Sequence, residues 1–210
     1  MMWIVAAPGP SLTPEIAEQC RGHKVMAIND AWRLLPFADV LYACDATWWD
    51  HKVPRHFCGE RWTSWSEEHH PENVECARRH GLKLIRGALL DGFSFKPGLI
   101  HLGSNSGFQG INLALGFGAT RIVLVGFDMK PAPDGRTHFF GNHVSPLFDP
   151  DATFFDISLA AFSRAAELLP SHVRIINTTP GSALQCFENM SLESALEIGE
   201  VPALRSVSVA

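Results

Sequence analysis

Residues 103–128 read GSNSGFQGINLALGFGATRIVLVGFD, and this stretch decides the fold. Gly103 to Gly107 form a run of small, polar residues suited to a turn. Phe108–Phe117 is an apolar helical segment stopped by Gly118. Arg121–Val125 (RIVLV) is β-branched and continuously apolar, the mark of a strand buried on both faces. It runs straight into Gly126-Phe127-Asp128. A helix feeding a doubly buried strand is the unit of a parallel sheet covered by helices.

The same alternation extends outward. Strands are expected over Trp3–Ala7, Lys24–Ile28, Val40–Ala43, Arg61–Trp65, Leu82–Ile85 and Val173–Ile176. Helices are expected over Pro14–Cys20, Pro71–His80 and Phe154–Leu169, with a short one over Leu192–Ile198. Phe93-Ser94-Phe95 reads as a strand or an extended loop. The fold class is therefore a Rossmann-like three-layer α/β/α architecture on a mostly parallel sheet of about six to seven strands. The chain has 210 residues, which fits a single domain over 1–199 with a frayed tail over 200–210.

Composition removes several function classes. Net charge is −5, from 22 acidic and 17 basic residues, and no basic run exceeds two residues. That argues against duplex nucleic acid as a partner. Five cysteines, an odd number without a CxxC pair, point to free thiols in a reducing, cytoplasmic setting. The apolar run near the N-terminus has the length of a strand, and no stretch approaches the ~18 apolar residues of a membrane span. Tyrosine is scarce: Tyr42 stands alone beside 14 Phe and 6 Trp.

Ligands of parallel sheets bind beyond the carboxyl ends of the strands. There the chain places Pro8–Ser11, Asn29-Asp30, Cys44-Asp45, Gly126–Asp128 and Asn177–Ser182. Gly9 and Ser11 belong to a turn that exposes backbone N–H groups to a phosphate, or else Ser11 only caps the next helix. Ser106 and Gly107 open the apolar helix and offer a second anion site, against a plain capping role for Ser104 or Ser106. Asp128, following Gly126 at a strand exit, suits a ribose hydroxyl, a metal or a neighbouring side chain; its plainer role is to cap local N–H groups.

A long loop, Lys130–Asp151, carries His138-Phe139-Phe140-Gly141-Asn142-His143. A neutral imidazole accepts a proton from an attacking hydroxyl. The alternatives are two solvated surface histidines, or a metal pair completed by Asp128 or Asp149, although the spacing matches no dedicated zinc motif. His69-His70 beside Glu67-Glu68 reads as an exposed polar segment. Trp48, Trp49, Trp62 and Trp65 are mainly core candidates, with room for one at a pocket. Cys44 and Cys186 read as small core residues.

Taken together, PGPSL, AINDAW and CDATWW in the first half, then NSGFQGINLALGFGATRIVLVGFDM, HFFGNH and INTTPGSALQCF, resemble two related groups. These are the Campylobacter-type bacterial sialyltransferases and the MptE-like proteins, which include archaeal hydroxymethylpterin diphosphokinases. The chain also looks like phage-encoded members of this broad group. The resemblance covers about residues 2–190. It implies a nucleotide or nucleotide-sugar donor, an acceptor hydroxyl, and Mg2+ if the chemistry is of the diphosphokinase type. By residue, it implies Gly9 and Ser11 near the donor phosphates, and Asn29, Ser106 and Gly107 at the nucleotide. Asp45 matches an acidic position of the MptE-like group, and Asp128 the Asp ending the G-x-D strand. His143 matches the general base of the sialyltransferases, with His138 as rival.

Two departures stand out. Pro8 replaces an Asn in the first turn. No tyrosine follows Asp128, where the sialyltransferases use tyrosines on the departing phosphate; Lys130 and Arg136, or His138, are the candidates to replace them. The expected function is a glycosyltransferase-like transferase, with a metal-dependent diphosphokinase or a non-catalytic nucleotide-binding module as alternatives. Self-association stays open. An enzyme of this kind requires the Lys130–Asp151 loop to face Ser11, Asn29 and Ser106.

Overall fold

The structure, a computed structural model, describes residues 1–52, 54 and 56–198. The expected tail over 200–210 lies outside the described residues. The chain begins at the centre of its sheet. Strand β1 (Met2–Ala6) leads through α1 (Pro14–Gln19) to β2 (Val25–Ile28). A one-turn 3-10 helix (Asn29–Arg33) precedes β3 (Val40–Tyr42) and α2 (Ala46–Lys52). Then come β4 (Glu60–Trp65), α3 (Glu72–His80), β5 (Lys83–Ala88) and β6 (Leu99–His101). The second half adds α4 (Ser106–Gly116), β7 (Arg121–Val125), α5 (Ala152–Glu167), β8 (Arg174–Asn177), β9 (Glu188–Asn189) and α6 (Leu192–Glu197).

Among the described residues, nine strands form one sheet in the order β6-β5-β4-β3-β2-β1-β7-β8-β9. Every neighbouring pair is parallel. The chain winds outward from β1 to β6, then returns to pair β7 with the other side of β1. The order therefore reverses between β1 and β7, and a crevice forms there at the carboxyl ends.

Strand periodicity divides the core into two layers. Trp3, Val5, Ile122 and Leu124 face one side, where α4 and α5 bring Phe108, Ile111, Phe162 and Ala165. Ile4, Ala6, Val123 and Val125 face the other, where Leu12, Ala17, Trp48, Trp49, Leu192 and Ala195 pack. Burial of both faces explains why the central strands read as unbroken apolar runs.

The sheet has nine strands, more than the six to seven expected from sequence. The two extra strands sit at the edges and are short: β6 has three residues and β9 two. Neither length carries a readable period. Phe93-Ser94-Phe95 is not a strand. A side chain supplies its pairing instead: Asn112 Oδ1 accepts from Ser94 N (2.9 Å) and His101 N (2.7 Å), and Asn112 Nδ2 donates to Ser94 O (2.8 Å). The segment holding Trp48 and Trp49 forms the helix α2, and both indoles are buried.

Candidate functional site

A cavity of ≈ 380 Å³ lies across the strand exits beside the β1/β7 reversal. Ten of the twelve expected site residues line it: Gly9, Asn29, Asp45, Ser106, Gly107, Gly126, Asp128, Lys130, His138 and His143. Ser11 and Arg136 do not. Five segments that are remote in sequence thus converge on one space.

The first wall is the junction of the β1 and β7 exits. Gly126 has φ 71, and a Cβ there would overlap Ala7 O. Gly9 packs so closely that its Cβ would overlap both Gly126 O and the Asp128 carboxylate. Ser11 does not cap α1; Thr13 Oγ1 does, accepting from Ile16 N. Ser11 instead binds Asp128: its N–H lies 3.2 and 3.3 Å from the two carboxylate oxygens, and its Oγ donates to Oδ2 at 2.8 Å. Of the roles expected for Asp128, contact with a neighbouring side chain is the one the structure contains, and it joins the β7 exit to the β1 exit. Burial pushes the Asp128 carboxyl above its usual range, and the Ser11 bonds work against that rise.

The second wall joins β3 to α4. Asn105, not Ser104 or Ser106, caps α4, with Oδ1 accepting from Phe108 N at 2.8 Å. That frees Ser106, whose Oγ accepts from Cys44 N (3.0 Å) and donates to Cys44 Sγ (3.1 Å). Burial raises the Cys44 thiol well above its ordinary value, so it is an inert part of the wall. Asp45 opens to solvent within the cleft, yet crowding by the walls raises its carboxyl too. At the exit of β2, Asn29 adopts φ 46, and its Oδ1 is buried without a hydrogen-bond partner. Strain of that kind tends to gather at binding positions.

The third wall is the Lys130–Asp151 loop, which folds over the cavity. Exchanged bonds between His138 and Gly141 (3.1 Å each) close a tight turn, and Gly141 at φ 105 permits it. Phe140 stacks on His138 with ring centroids 5.0 Å apart and interplanar angle 9°. His138 and His143 lie 4.6 Å apart, centroid to centroid. Asp149 ties them together: its Oδ1 accepts from His143 N (2.9 Å) and Thr137 Oγ1 (3.1 Å), and lies 3.3 Å from His138 Nδ1. Burial, then the neighbouring His143, pushes the His138 ring down to about 4. Burial lowers His143 as well. The His138 ring is therefore neutral near pH 7.

Lys130 is exposed at the rim of the cavity. Arg136 turns away to Asp134 (3.1 Å) and Phe139 O (3.3 Å). Several contributors were not legible in advance. Phe154 and Phe155, from the first turn of α5, form an apolar wall. Trp48 is the tryptophan of the four expected candidates that lines the cavity, and its Nε1 donates to the buried Asp30 at 2.8 Å. Asp30 also lies 3.7 Å from Arg33 and 3.8 Å from Lys52, a charge cluster behind His143. Its sequence signal was only a polar residue at a strand exit.

No protein-family model matches the sequence, and no curated protein matches it. Among solved structures, the chain is similar to a MAf glycosyltransferase from Magnetospirillum magneticum AMB-1. The TM-score is 0.60 at 16% sequence identity, covering 94% of this chain. That likeness shows the α/β fold. The chain spans 34% of the length of that glycosyltransferase.

Proposed function

We propose that the chain is a glycosyltransferase-like transferase that moves a group from a nucleotide-activated donor to an acceptor hydroxyl. The observation that carries this reading is the direction of the Lys130–Asp151 loop. It brings His138 and His143 into the same cavity as Gly9, Asn29, Ser106 and Gly107. A loop pointing away would have left a binding fold without a proton acceptor. The nucleotide lies across the β1 and β2 exits, and its phosphates face the N-terminal turn of α4, where free N–H groups and the helix dipole favour an anion. His143, half-buried and less enclosed than His138, takes the proton of the attacking hydroxyl as the new bond forms. Lys130 offsets charge on the leaving phosphate.

The diphosphokinase alternative needs Mg2+, which prefers oxygen ligands. Both Asp128 oxygens already accept from Ser11. Asp45 then remains as the carboxylate facing the cavity, a poor fit to a dedicated Mg2+ site. The motif resemblance to the MptE-like and sialyltransferase groups supports this reading, and the likeness to the MAf glycosyltransferase adds the fold.

The test is a thermal-shift screen of nucleotides and nucleotide-sugars with and without Mg2+. A ligand at 100 times its Kd stabilises by about 2.7 kcal/mol. A shift with a nucleotide that does not require Mg2+ is expected, and transfer from the identified donor should fall at least about a hundredfold in His143→Ala. Absence of any nucleotide shift overturns the reading. Intact turnover in both His143→Ala and His138→Ala overturns the assignment of the base.

A further inference from the structure

We propose that His138, His143 and Asp149 form a site for a divalent transition-metal ion of the Zn2+ type at the rim of the cavity. Each offers one ligand atom, and these atoms lie within 4.8 Å of one another. Two imidazoles and one carboxylate match the ligand preferences of Zn2+ or Co2+ and not those of Mg2+. A tetrahedral ion with bonds near 2.0–2.1 Å spaces its ligands at roughly 3.4 Å. His138 Nδ1 and Asp149 Oδ1 already stand 3.3 Å apart. With all three ligand atoms within 4.8 Å, closing the triangle requires the His143 ring to approach by at most about 1.4 Å.

An independent observation points to a ligand here. His143 Nδ1 is buried and has no hydrogen-bond partner. Such a group in a native structure calls for a water or an ion. The surroundings also hold the triad in place. Phe140 packs on both imidazole rings, and Asp149 is oriented by the His143 N–H and the Thr137 hydroxyl. Partners of this kind fix metal ligands. The other three-ligand cluster, Asp50, Cys76 and His80, differs: a fixed cation, Arg79, holds both oxygens of the Asp50 carboxylate at 2.9 Å, whereas the Asp149 contacts are neutral N–H and O–H donors on Oδ1.

This site goes beyond the transferase reading and constrains it. An ion on His143 takes the lone pair that a general base needs. Metal occupancy and proton acceptance at His143 therefore exclude each other, and a Zn2+-type ion acts as an inhibitor of the proposed transfer.

The experiment is a Co2+ titration of the purified 210-residue chain, read by visible d–d absorption and by displacement with Zn2+. One equivalent is expected, with nitrogen and oxygen ligation. His143→Ala and Asp149→Asn should each weaken binding at least about tenfold, and His80→Ala should leave it unchanged. Circular dichroism of each variant separates loss of ligation from loss of fold, and His143→Gln serves if His143→Ala fails to fold. Three outcomes overturn the site: no Co2+ absorption, binding unaffected by both triad variants, or a thiolate-to-cobalt band placing the ion on a cysteine such as the exposed Cys58. The readout needs no donor and no turnover, so its failure is distinct from a failure of the nucleotide screen.

Discussion

Gly9→Ala is the sharpest probe of how the site is assembled. A methyl group at Gly9 would come closer than 3.0 Å to Gly126 O and to Asp128 Oδ2. One obstacle is backbone and the other a carboxylate held by Ser11, so neither swings aside freely. Overpacking of this kind costs about 1–3 kcal/mol. Relief requires the β1 and β7 exits to part, which stretches the Ser11–Asp128 bonds, and hydrogen bonds to a charged group contribute about 1.5–3 kcal/mol. Together the loss is about 2.5–6 kcal/mol, or roughly 5–24 °C in Tm for a chain of this size. Differential scanning calorimetry measures it. Gly116→Ala is the control, because a Cβ at that helical position meets nothing within 4 Å; it should be stabilising by about 0.5–1 kcal/mol. Asp128→Ala should recover part of the loss in the double variant, since Gly126 O still obstructs. A Tm for Gly9→Ala within about 2 °C of wild type refutes the argument that the two exits are locked together.

The His138 ring, pushed down to about 4, should not titrate between pH 8 and 5 when followed by NMR. The unfolded chain binds that proton near pH 6.5 and the folded one does not, so stability falls as pH drops from about 6.5 towards 4. The full effect is up to about 3 kcal/mol, readable by urea unfolding, and His138→Phe should flatten it. Asn112→Ala removes the amide that serves Ser94 and His101, so their backbone N–H groups should exchange with solvent at least about tenfold faster, with a cost of about 2–4 kcal/mol. Lys130→Ala should weaken a nucleoside diphosphate more than a monophosphate, about five- to tenfold, in calorimetric titration. Ser11→Ala should leave both affinities near wild type while lowering Tm; equal losses for the two variants would return Ser11 to the phosphates.

Doubly buried strands announce themselves, which is why β7 falls on the residues read from RIVLV. Elements that take their partners from elsewhere do not. β6 needs β5 and the Asn112 amide, and β9 has only two residues. The α2 segment reads as aromatic because its two tryptophans are adjacent. Their indole N–H groups find Asp30 and Ala43 O, contacts set by tertiary structure. In the site, residue types at strand exits were legible, but the choice among small polar neighbours was not. Ser11, Thr13, Ser104, Asn105 and Ser106 are all competent caps. Thr13 and Asn105 won, and that left Ser11 free for Asp128 and Ser106 free for Cys44.

That division of labour bears on the missing tyrosines. Tyr42 is fully buried, with its hydroxyl 2.5 Å from Gln109 Oε1, and serves the core. Arg136 is engaged by Asp134 and Phe139 O. Ser11 spends its N–H and hydroxyl on Asp128. Three groups suited to a leaving phosphate are thus committed to structure. In the proposed reaction the α4 N-terminal turn and Lys130 must then offset that charge, with two carboxyls, Asp45 and Asp128, in the same cavity. Both are raised by burial or crowding, which costs the charged form least when a cation or helix dipole lies close. For the proposed reaction, a cavity so sparing in positive charge is expected to bind a nucleoside monophosphate more tightly than a nucleoside diphosphate in calorimetric titration; the reverse order refutes this charge argument.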